Sequence, residues 1–189
     1  MDIETNKVLI VDDERGVIEA LKRSFIDDHV CIYSADSGTK GLEILSANRM
    51  KVVISDEMMP VMPGAEFLAQ VSSRFPHVIR IMLTGHASLN AAIKAINKGE
   101  IYRFFTKPWD DFEIRFAVKS AIEKYDLEEE NRRLLGIVRK QALNLKLLEK
   151  EFPGITDLEY DDKGRIIIQD VPDGEIDQIL AELEKEYSS

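Results

Sequence analysis

Over residues 7–120, short apolar runs alternate with amphipathic segments, and few folds are compatible with such a pattern. The runs are rich in β-branched residues, which is typical of strands buried on both faces of a sheet. They are Val8–Val11, Val30–Ser34, Val52–Ile54, Ile79–Leu83 and Tyr102–Phe105. Strands that alternate with helices predict right-handed βαβ units, and hence an α/β fold with a doubly wound five-stranded parallel sheet.

The segments between these runs repeat apolar residues with helical spacing. Four helices are predicted, with apolar faces at Ile18/Leu21/Phe25, Leu42/Leu45, Phe67/Leu68/Val71 and Ala92/Ile93/Ile96. A fifth helix is predicted to begin near Asp110 and Asp111, because acidic side chains are favourable at a helix N-terminus.

The fifth helix has no stop signal before Pro153 and Gly154. Its second half has the spacing of a coiled-coil seam, at Leu127, Asn131, Leu134, Val138, Gln141, Leu145, Leu148 and Phe152. This pattern predicts a homodimer through the 110–152 helix. The alternatives are a helix that packs back on its own domain, or one that breaks near Gly136, since glycine costs about 1 kcal/mol relative to alanine in a helix.

Residues 153–189 are predicted to form a hairpin of Ile155–Tyr160 and Arg165–Gln169, followed by a final helix. A strand–strand–helix module of this size buries too little surface to fold alone, so it needs a partner surface. The predicted domains are therefore an α/β domain at 1–125, a helical coiled-coil-like extension at 126–152 and a small acidic module at 153–189.

The net charge of −10 at pH 7 is concentrated at the end of the chain, where residues 151–189 carry twelve acidic and three basic side chains. Affinity for nucleic acid depends on neutralising phosphates with Lys and Arg, so no nucleic-acid partner is expected. No apolar stretch reaches the ~20 residues that span a bilayer, and the N-terminus lacks a signal-peptide pattern. With Cys31 as the single cysteine, a cytoplasmic protein without a membrane partner is expected.

In open parallel sheets, functional residues lie beyond the carboxyl ends of the strands. Here those positions hold Asp12 and Asp13, Asp56, Thr84 and Lys107. Clustered carboxylates need a positive charge nearby, and hard oxygen ligands favour Mg²⁺. With the metal in place, one carboxylate can attack the phosphorus of a phosphohistidine and form an acyl phosphate. The Lys107 ammonium and the Thr84 hydroxyl can then bind phosphoryl oxygens.

Four motifs in order carry a family resemblance, namely Val8–Glu14, Ser55–Pro60 with Pro63-Gly64, Met82–Ala87 and Phe104–Trp109. Over residues 5–125 they resemble the receiver domain of response regulators, the phosphoproteins of bacterial two-component systems. All functional positions of that family are filled here. The resemblance implies a flavodoxin-like fold, phosphorelay signal transduction and a sensor histidine kinase as partner.

The resemblance also assigns roles to residues. It implies that Asp56 is the phosphoacceptor, assisted by Lys107 and Thr84, and that Mg²⁺ is held by Asp12, Asp13, Asp56 and the backbone carbonyl of Met58. It implies Thr84 and Phe104 as switch residues, with Phe104 turning inward on phosphorylation. Because Phe104 has no hydroxyl to keep in water, it is expected to sample the inward rotamer before phosphorylation as well. The Lys107–Pro108 bond is expected to be cis.

The remaining candidates are expected to be structural. Glu57 is expected to face solvent, and Trp109 to pack where the fifth helix begins. The three histidines, His29, His77 and His86, have no metal-ligand spacing, so no zinc site is expected.

The chain is thus expected to be a response regulator that signals through protein contacts or dimerisation to an unknown output protein. It is expected to catalyse only its own phosphotransfer and autodephosphorylation, and so not to be an enzyme. The alternative is a receiver remnant or fragment of a cyclic-dinucleotide phosphodiesterase regulator, because Arg103–Trp109 and the helix that follows resemble receivers that precede such domains. A transcriptional regulator is a further option, against which the acidic tail argues.

Overall fold

A computed structural model describes residues 6–26, 30–85 and 101–152 of the chain. Its centre is a five-stranded sheet with the order β2-β1-β3-β4-β5, in which every pair of neighbours is parallel. The strands are β1 (Asn6–Val11), β2 (Val30–Ala35), β3 (Val52–Asp56), β4 (Ile79–Thr84) and β5 (Arg103–Thr106). This order confirms the predicted doubly wound sheet.

Four helices are described, α1 (Arg15–Ser24), α2 (Gly38–Ala47), α3 (Gly64–Arg74) and α4 (Asp111–Glu151). The predicted helix with Ala92, Ile93 and Ile96 lies outside the described residues. Helix α4 corresponds to the predicted fifth helix and begins where its acidic residues suggested. The alternative in which this helix breaks near Gly136 is wrong, because α4 is continuous through that position.

Alternate strand residues pack into two apolar layers, one on each face of the sheet. Ile10, Ile54 and Ile81 belong to the layer that also contains Leu21 of α1 and Ile114 of α4. Their neighbours Leu9, Val53 and Met82 belong to the opposite layer, with Leu42 of α2 and Phe67 of α3. A sheet covered on both faces is a rigid platform, and it fixes the positions of the loops that follow its strands.

The chain divides into two compact units, Met1–Gly136 and Ile137–Ser189. Burial on α4 extends from Ile114 to Tyr125. Beyond Tyr125, apolar side chains of α4 such as Leu127, Leu134 and Val138 are exposed. None of the described helices is both long and apolar enough to cross a membrane. The predicted hairpin and final helix lie outside the described residues, and the domain boundaries at 125 and 152 stay predictions.

Candidate functional site

Two acidic side chains and one lysine meet at the carboxyl edge of the sheet. The Lys107 Nζ atom lies 2.6 Å from Asp56 Oδ1 and 2.8 Å from Asp12 Oδ2. Both carboxylates are buried, whereas Lys107 retains a partly exposed side chain. The structure therefore brings together three of the predicted site residues, which come from the ends of β1, β3 and β5.

Backbone amides fix the orientation of both carboxylates. The Glu14 N–H donates to Asp12 Oδ1 at 2.8 Å, and the Met58 N–H donates to Asp56 Oδ2 at 2.7 Å. Each carboxylate thus gives one oxygen to Lys107 and the other to the backbone two residues further on, which is the local hydrogen bond that aspartate favours in turns. The Asp56 oxygens are held in place before any ligand arrives.

The site carries more negative than positive charge. Burial raises the pKa of the Asp12 carboxyl above its ordinary value, although Lys107 opposes this shift. For Lys107, burial alone lowers the pKa, but the hydrogen bonds to Asp12 and Asp56 outweigh it and the net pKa is raised. Lys107 is therefore an ammonium at neutral pH. Within the part of the chain that the structure describes, it is the one basic group in contact with these two carboxylates.

The donor set fits Mg²⁺ in its chemistry. Asp12 and Asp56 offer carboxylate oxygens, which are the ligands that Mg²⁺ prefers. Asp13 is exposed next to Asp12, and the Met58 peptide lies against the Asp56 carboxylate. Among residues 6–26, 30–85 and 101–152, however, no three acidic, histidine or cysteine side chains are arranged as a metal cluster. The Mg²⁺ site stays a prediction, supported by the excess of negative charge.

The loop after β3 packs closely against the backbone of Asp56. A Cβ atom at Gly64 would lie 1.9 Å from the Asp56 carbonyl oxygen, and the Gly64 N–H donates to the Glu57 carbonyl at 2.8 Å. Val61 in the same loop has φ = 68°, a conformation that β-branched residues rarely adopt. In the sequence, Pro63-Gly64 was only part of a motif that carries the family resemblance, whereas the structure shows that no side chain fits at position 64.

The prediction that Glu57 faces solvent is wrong. Its side chain is buried, and Glu57 Oε2 accepts a hydrogen bond from Thr84 Oγ1 at 2.5 Å. Pairing of β3 with β4 continues one residue beyond the strand, since the Glu57 N–H donates to the Leu83 carbonyl at 2.9 Å. That continuation places Glu57 beside Thr84. The strand register, extended by one residue, is the signal that could have predicted the contact.

The other predicted residues occupy the same end of the sheet. Thr84 is fully buried at the end of β4, and Phe104 pairs with Met82 across β4 and β5 and is half-buried. The rotamer preference of Phe104 stays a prediction. The Lys107–Pro108 bond is cis, as predicted. Trp109 packs against the layer that contains α1 and α4, which confirms its structural role.

Three comparisons with known proteins agree on the α/β part of the chain. The family model of the response regulator receiver domain matches residues 8–119. The chain is similar to the transcriptional regulatory protein GlrR of Escherichia coli, with 32% identity over 143 residues that make up 76% of this chain and 32% of that protein. The chain therefore spans about a third of the length of this curated relative.

Two solved structures are also similar. The signal receiver domain of an HD domain-containing protein from Pseudomonas fluorescens has 33% identity and a TM-score of 0.65, covering 69% of this chain and 96% of that one. A structure described as adenylate cyclase from Rhodopirellula baltica has 31% identity and a TM-score of 0.66, covering 70% of this chain and 98% of that one.

Proposed function

Since this chain belongs to the family of response regulator receiver domains, we propose that Asp56 accepts a phosphoryl group from the phosphohistidine of a sensor histidine kinase. The observation that carries this proposal is the contact of the Lys107 ammonium with Asp56 Oδ1 at 2.6 Å inside a mostly buried, net negative site. The nucleophilic carboxylate of Asp56 then lies next to a fixed cation, Lys107, that can stabilise the negative charge of the phosphoryl group.

In the transfer, a carboxylate oxygen of Asp56 forms a bond to phosphorus while the P–N bond to the donor imidazole breaks. The imidazole nitrogen leaves with the bonding electron pair, and the product is an acyl phosphate. Such a transfer needs alignment and charge stabilisation more than covalent assistance from the protein. The Met58 N–H aligns the carboxylate, and Lys107 is positioned to bind a phosphoryl oxygen.

We propose that Mg²⁺ is held by Asp12, Asp13, Asp56 and the backbone carbonyl of Met58. When bound, the metal would neutralise the clustered carboxylates and bind a phosphoryl oxygen. The protein side chains hold the acceptor in place, and the Thr84 hydroxyl donates to a further phosphoryl oxygen. Phe104 is the second proposed switch residue, and its ring turns inward once Thr84 has moved toward the phosphoryl group. Self-phosphorylation and autodephosphorylation would be the only reactions of the chain.

The assignment is tested with Asp56→Asn, which removes the nucleophilic carboxylate. Mg²⁺-dependent labelling by a small phosphodonor such as phosphoramidate, followed by intact mass, is expected to disappear in this variant. Asp36→Asn is the matched control, because Asp36 follows β2 at the same edge but is exposed and paired with Lys40. Normal labelling of Asp56→Asn, or equal loss in both variants, contradicts the assignment.

For the output, we propose signalling through protein contacts and self-association along α4. The support is the exposure of the predicted seam, where Leu127, Leu134 and Val138 leave much of their surface in water. Apolar surface of this kind, repeated with coiled-coil spacing, is buried when a second copy pairs with it. The acidic composition of residues 151–189 argues against nucleic acid as the direct target.

Substitutions at two neighbouring leucines test whether self-association uses the predicted seam or exposed apolar surface in general. Leu134 lies on the predicted seam and Leu135 lies off it, with similar exposures of 46% and 57%. Leu134→Glu is expected to shift the molar mass toward the monomer, whereas Leu135→Glu leaves it unchanged. Light scattering with and without beryllofluoride, a phosphoryl mimic, then shows whether phosphorylation controls the association. A monomeric wild-type chain under both conditions contradicts self-association and favours docking on another protein.

A further inference from the structure

The fully buried hydroxyl of Thr84 is engaged by a residue outside the proposed transfer machinery. Thr84 Oγ1 donates to Glu57 Oε2 at 2.5 Å, and the Gly85 carbonyl oxygen at 3.0 Å is a second acceptor within reach. A hydroxyl has one proton to donate at a time. The carboxylate is the stronger acceptor, because hydrogen bonds to ionised groups are roughly twice as strong as those between neutral groups.

The backbone of Glu57 is fixed by two hydrogen bonds. The Glu57 N–H donates to the Leu83 carbonyl at 2.9 Å, and the Glu57 carbonyl accepts from the Gly64 N–H at 2.8 Å. Glu57 as a whole is 8% exposed, so the surrounding protein restricts its side-chain rotamers. Thr84 and Glu57 therefore form a contact between two fixed strand ends, and not a transient surface contact.

Phosphorylation of Asp56 adds a second acceptor for the Thr84 hydroxyl proton. In the proposed function, Thr84 donates to a phosphoryl oxygen on Asp56, the residue that immediately precedes Glu57. The two acceptors cannot both hold the hydroxyl. A buried carboxylate next to a newly formed phosphoryl dianion is also a repulsive neighbour.

We propose that Glu57 is a positioning residue that retains the Thr84 hydroxyl in the unphosphorylated state and so opposes the phosphorylated one. This inference rests on the proposed function, and it adds to it a competitor for the switch hydroxyl. Phosphorylation of Asp56, or a partner that favours the switched state, would then have to break the Thr84–Glu57 hydrogen bond. A neutral acceptor at position 57 would release the hydroxyl more readily.

The test is a titration of the full chain with beryllofluoride in the presence of Mg²⁺. Trp109, the single tryptophan, stands two residues after Lys107 and serves as a fluorescent reporter. Fluorine NMR of bound beryllofluoride gives a second readout. Glu57→Gln is expected to lower the half-saturating concentration by about tenfold, because its amide oxygen is a weaker acceptor for Thr84.

Glu14→Gln is the matched control for the loss of charge. Its carboxylate is exposed and lies 3.9 Å from Lys107 Nζ, at the same edge of the sheet. It is expected to change the half-saturating concentration by less than about threefold, the range of an exposed, screened charge. Melting curves of each variant establish that the fold is retained.

A double-mutant cycle shows whether Glu57 acts through the hydroxyl. In a Thr84→Val background, or Thr84→Ala if the valine variant does not fold, Glu57→Gln is expected to have a clearly smaller effect on the titration, because only the charge repulsion remains. An equal effect in both backgrounds overturns the proposal, because Glu57 would then act through its charge alone. No change, or weaker binding, in Glu57→Gln alone also overturns it. Failure of the wild-type chain to bind beryllofluoride is a different result, which removes the proposed function itself.

Discussion

The two ends of the sheet each hold a lysine against carboxylates, but the charge balance differs. At the carboxyl end, Lys107 contacts the buried carboxylates of both Asp12 and Asp56. At the amino end, Lys51 contacts one carboxylate, Asp126 on α4, at 2.6 Å. The Lys51 side chain is the more buried of the two, with 7% exposure against 23% for Lys107.

At the amino end, Lys51 and its neighbour Arg49 make further polar contacts. Lys51 Nζ also donates to Asn6 Oδ1 at 3.0 Å, and nearby Arg49 Nε donates to the Tyr125 hydroxyl at 3.1 Å. Arg49 forms an ion pair with Glu129 as well. These contacts join the segment before β3 to α4, and each cation there has an acidic partner that is partly exposed to water.

The difference is one of charge balance and not of burial, because Lys51 is more buried than Lys107 but has one carboxylate partner. A buried lysine with one carboxylate and neutral acceptors is a structural element of the fold. One ammonium between two buried carboxylates leaves a net negative site, which a divalent cation can neutralise.

The largest effect is expected from Lys107→Met. The variant keeps the length of the side chain but removes the cation that faces Asp56, so the charge that develops on the transferred phosphoryl group loses a fixed partner. Removal of one such group typically slows a reaction by about 100-fold or more. The rate of Mg²⁺-dependent labelling by phosphoramidate, followed by mass, measures the loss.

Lys51→Met is the matched variant at the other end. It is expected to be labelled at the wild-type rate and to lose on the order of 1 kcal/mol of unfolding free energy, since Asp126 is half-exposed and can hydrate once its partner is gone. Urea unfolding measures this change. Slow labelling of Lys51→Met at normal stability would show that the two ends are not functionally distinct.

The sequence predicted the carboxyl end well because topology determines it. Once the strands are parallel, the residues after β1, β3 and β5 must share one edge, so Asp12, Asp56 and Lys107 meet without any knowledge of packing. Glu57 was missed because its burial depends on how far the β3–β4 pairing extends. A single residue of extra pairing changes a solvent-facing acid into a buried one.

The amino end could not be predicted from sequence patterns. Lys51 is an ordinary charged residue before a strand, and its partner Asp126 is 75 positions away on a helix that looks like a solvent-exposed coiled coil. Their contact depends on the angle at which α4 crosses the sheet, which is set by the buried residues from Ile114 to Tyr125. Long-range packing leaves no local signal.

The next prediction concerns the free-energy cost of burying the Asp12 carboxylate at the carboxyl end. Burial raises the pKa of Asp12 in the folded chain, so folding is penalised whenever this carboxyl is ionised. The penalty is present at neutral pH and disappears as the pH falls through the folded pKa, where the carboxyl becomes protonated. Asp12→Asn is therefore expected to raise the unfolding free energy at pH 7. This gain shrinks toward zero in acid.

Urea midpoints between pH 7 and pH 4, measured with a chelator so that no divalent cation compensates the charge, test this prediction. Asp36→Asn is the control of opposite sign, because the hydrogen bond from Lys40 lowers the pKa of exposed Asp36. No gain is expected from it at neutral pH. A stabilisation by Asp12→Asn that does not change with pH would show that packing, and not charge, limits stability at this end.

The smallest effect is expected from Tyr125→Phe at the amino end. The change removes the hydroxyl that accepts from Arg49 but keeps the buried ring beneath Lys51, whose Nζ lies 6.0 Å from the ring centre. Loss of one hydrogen bond to a partner that can hydrate costs about 0.5–1 kcal/mol. Tyr33→Phe, half-exposed under Lys7, is the control with a smaller expected change in the urea midpoint.

Beryllofluoride affinity is expected to be the same in both variants, because a rigid sheet with two packed faces separates Tyr125 from Asp56. A changed affinity in Tyr125→Phe alone would mean that the amino end of the sheet is coupled, through α4, to the proposed phosphoacceptor Asp56.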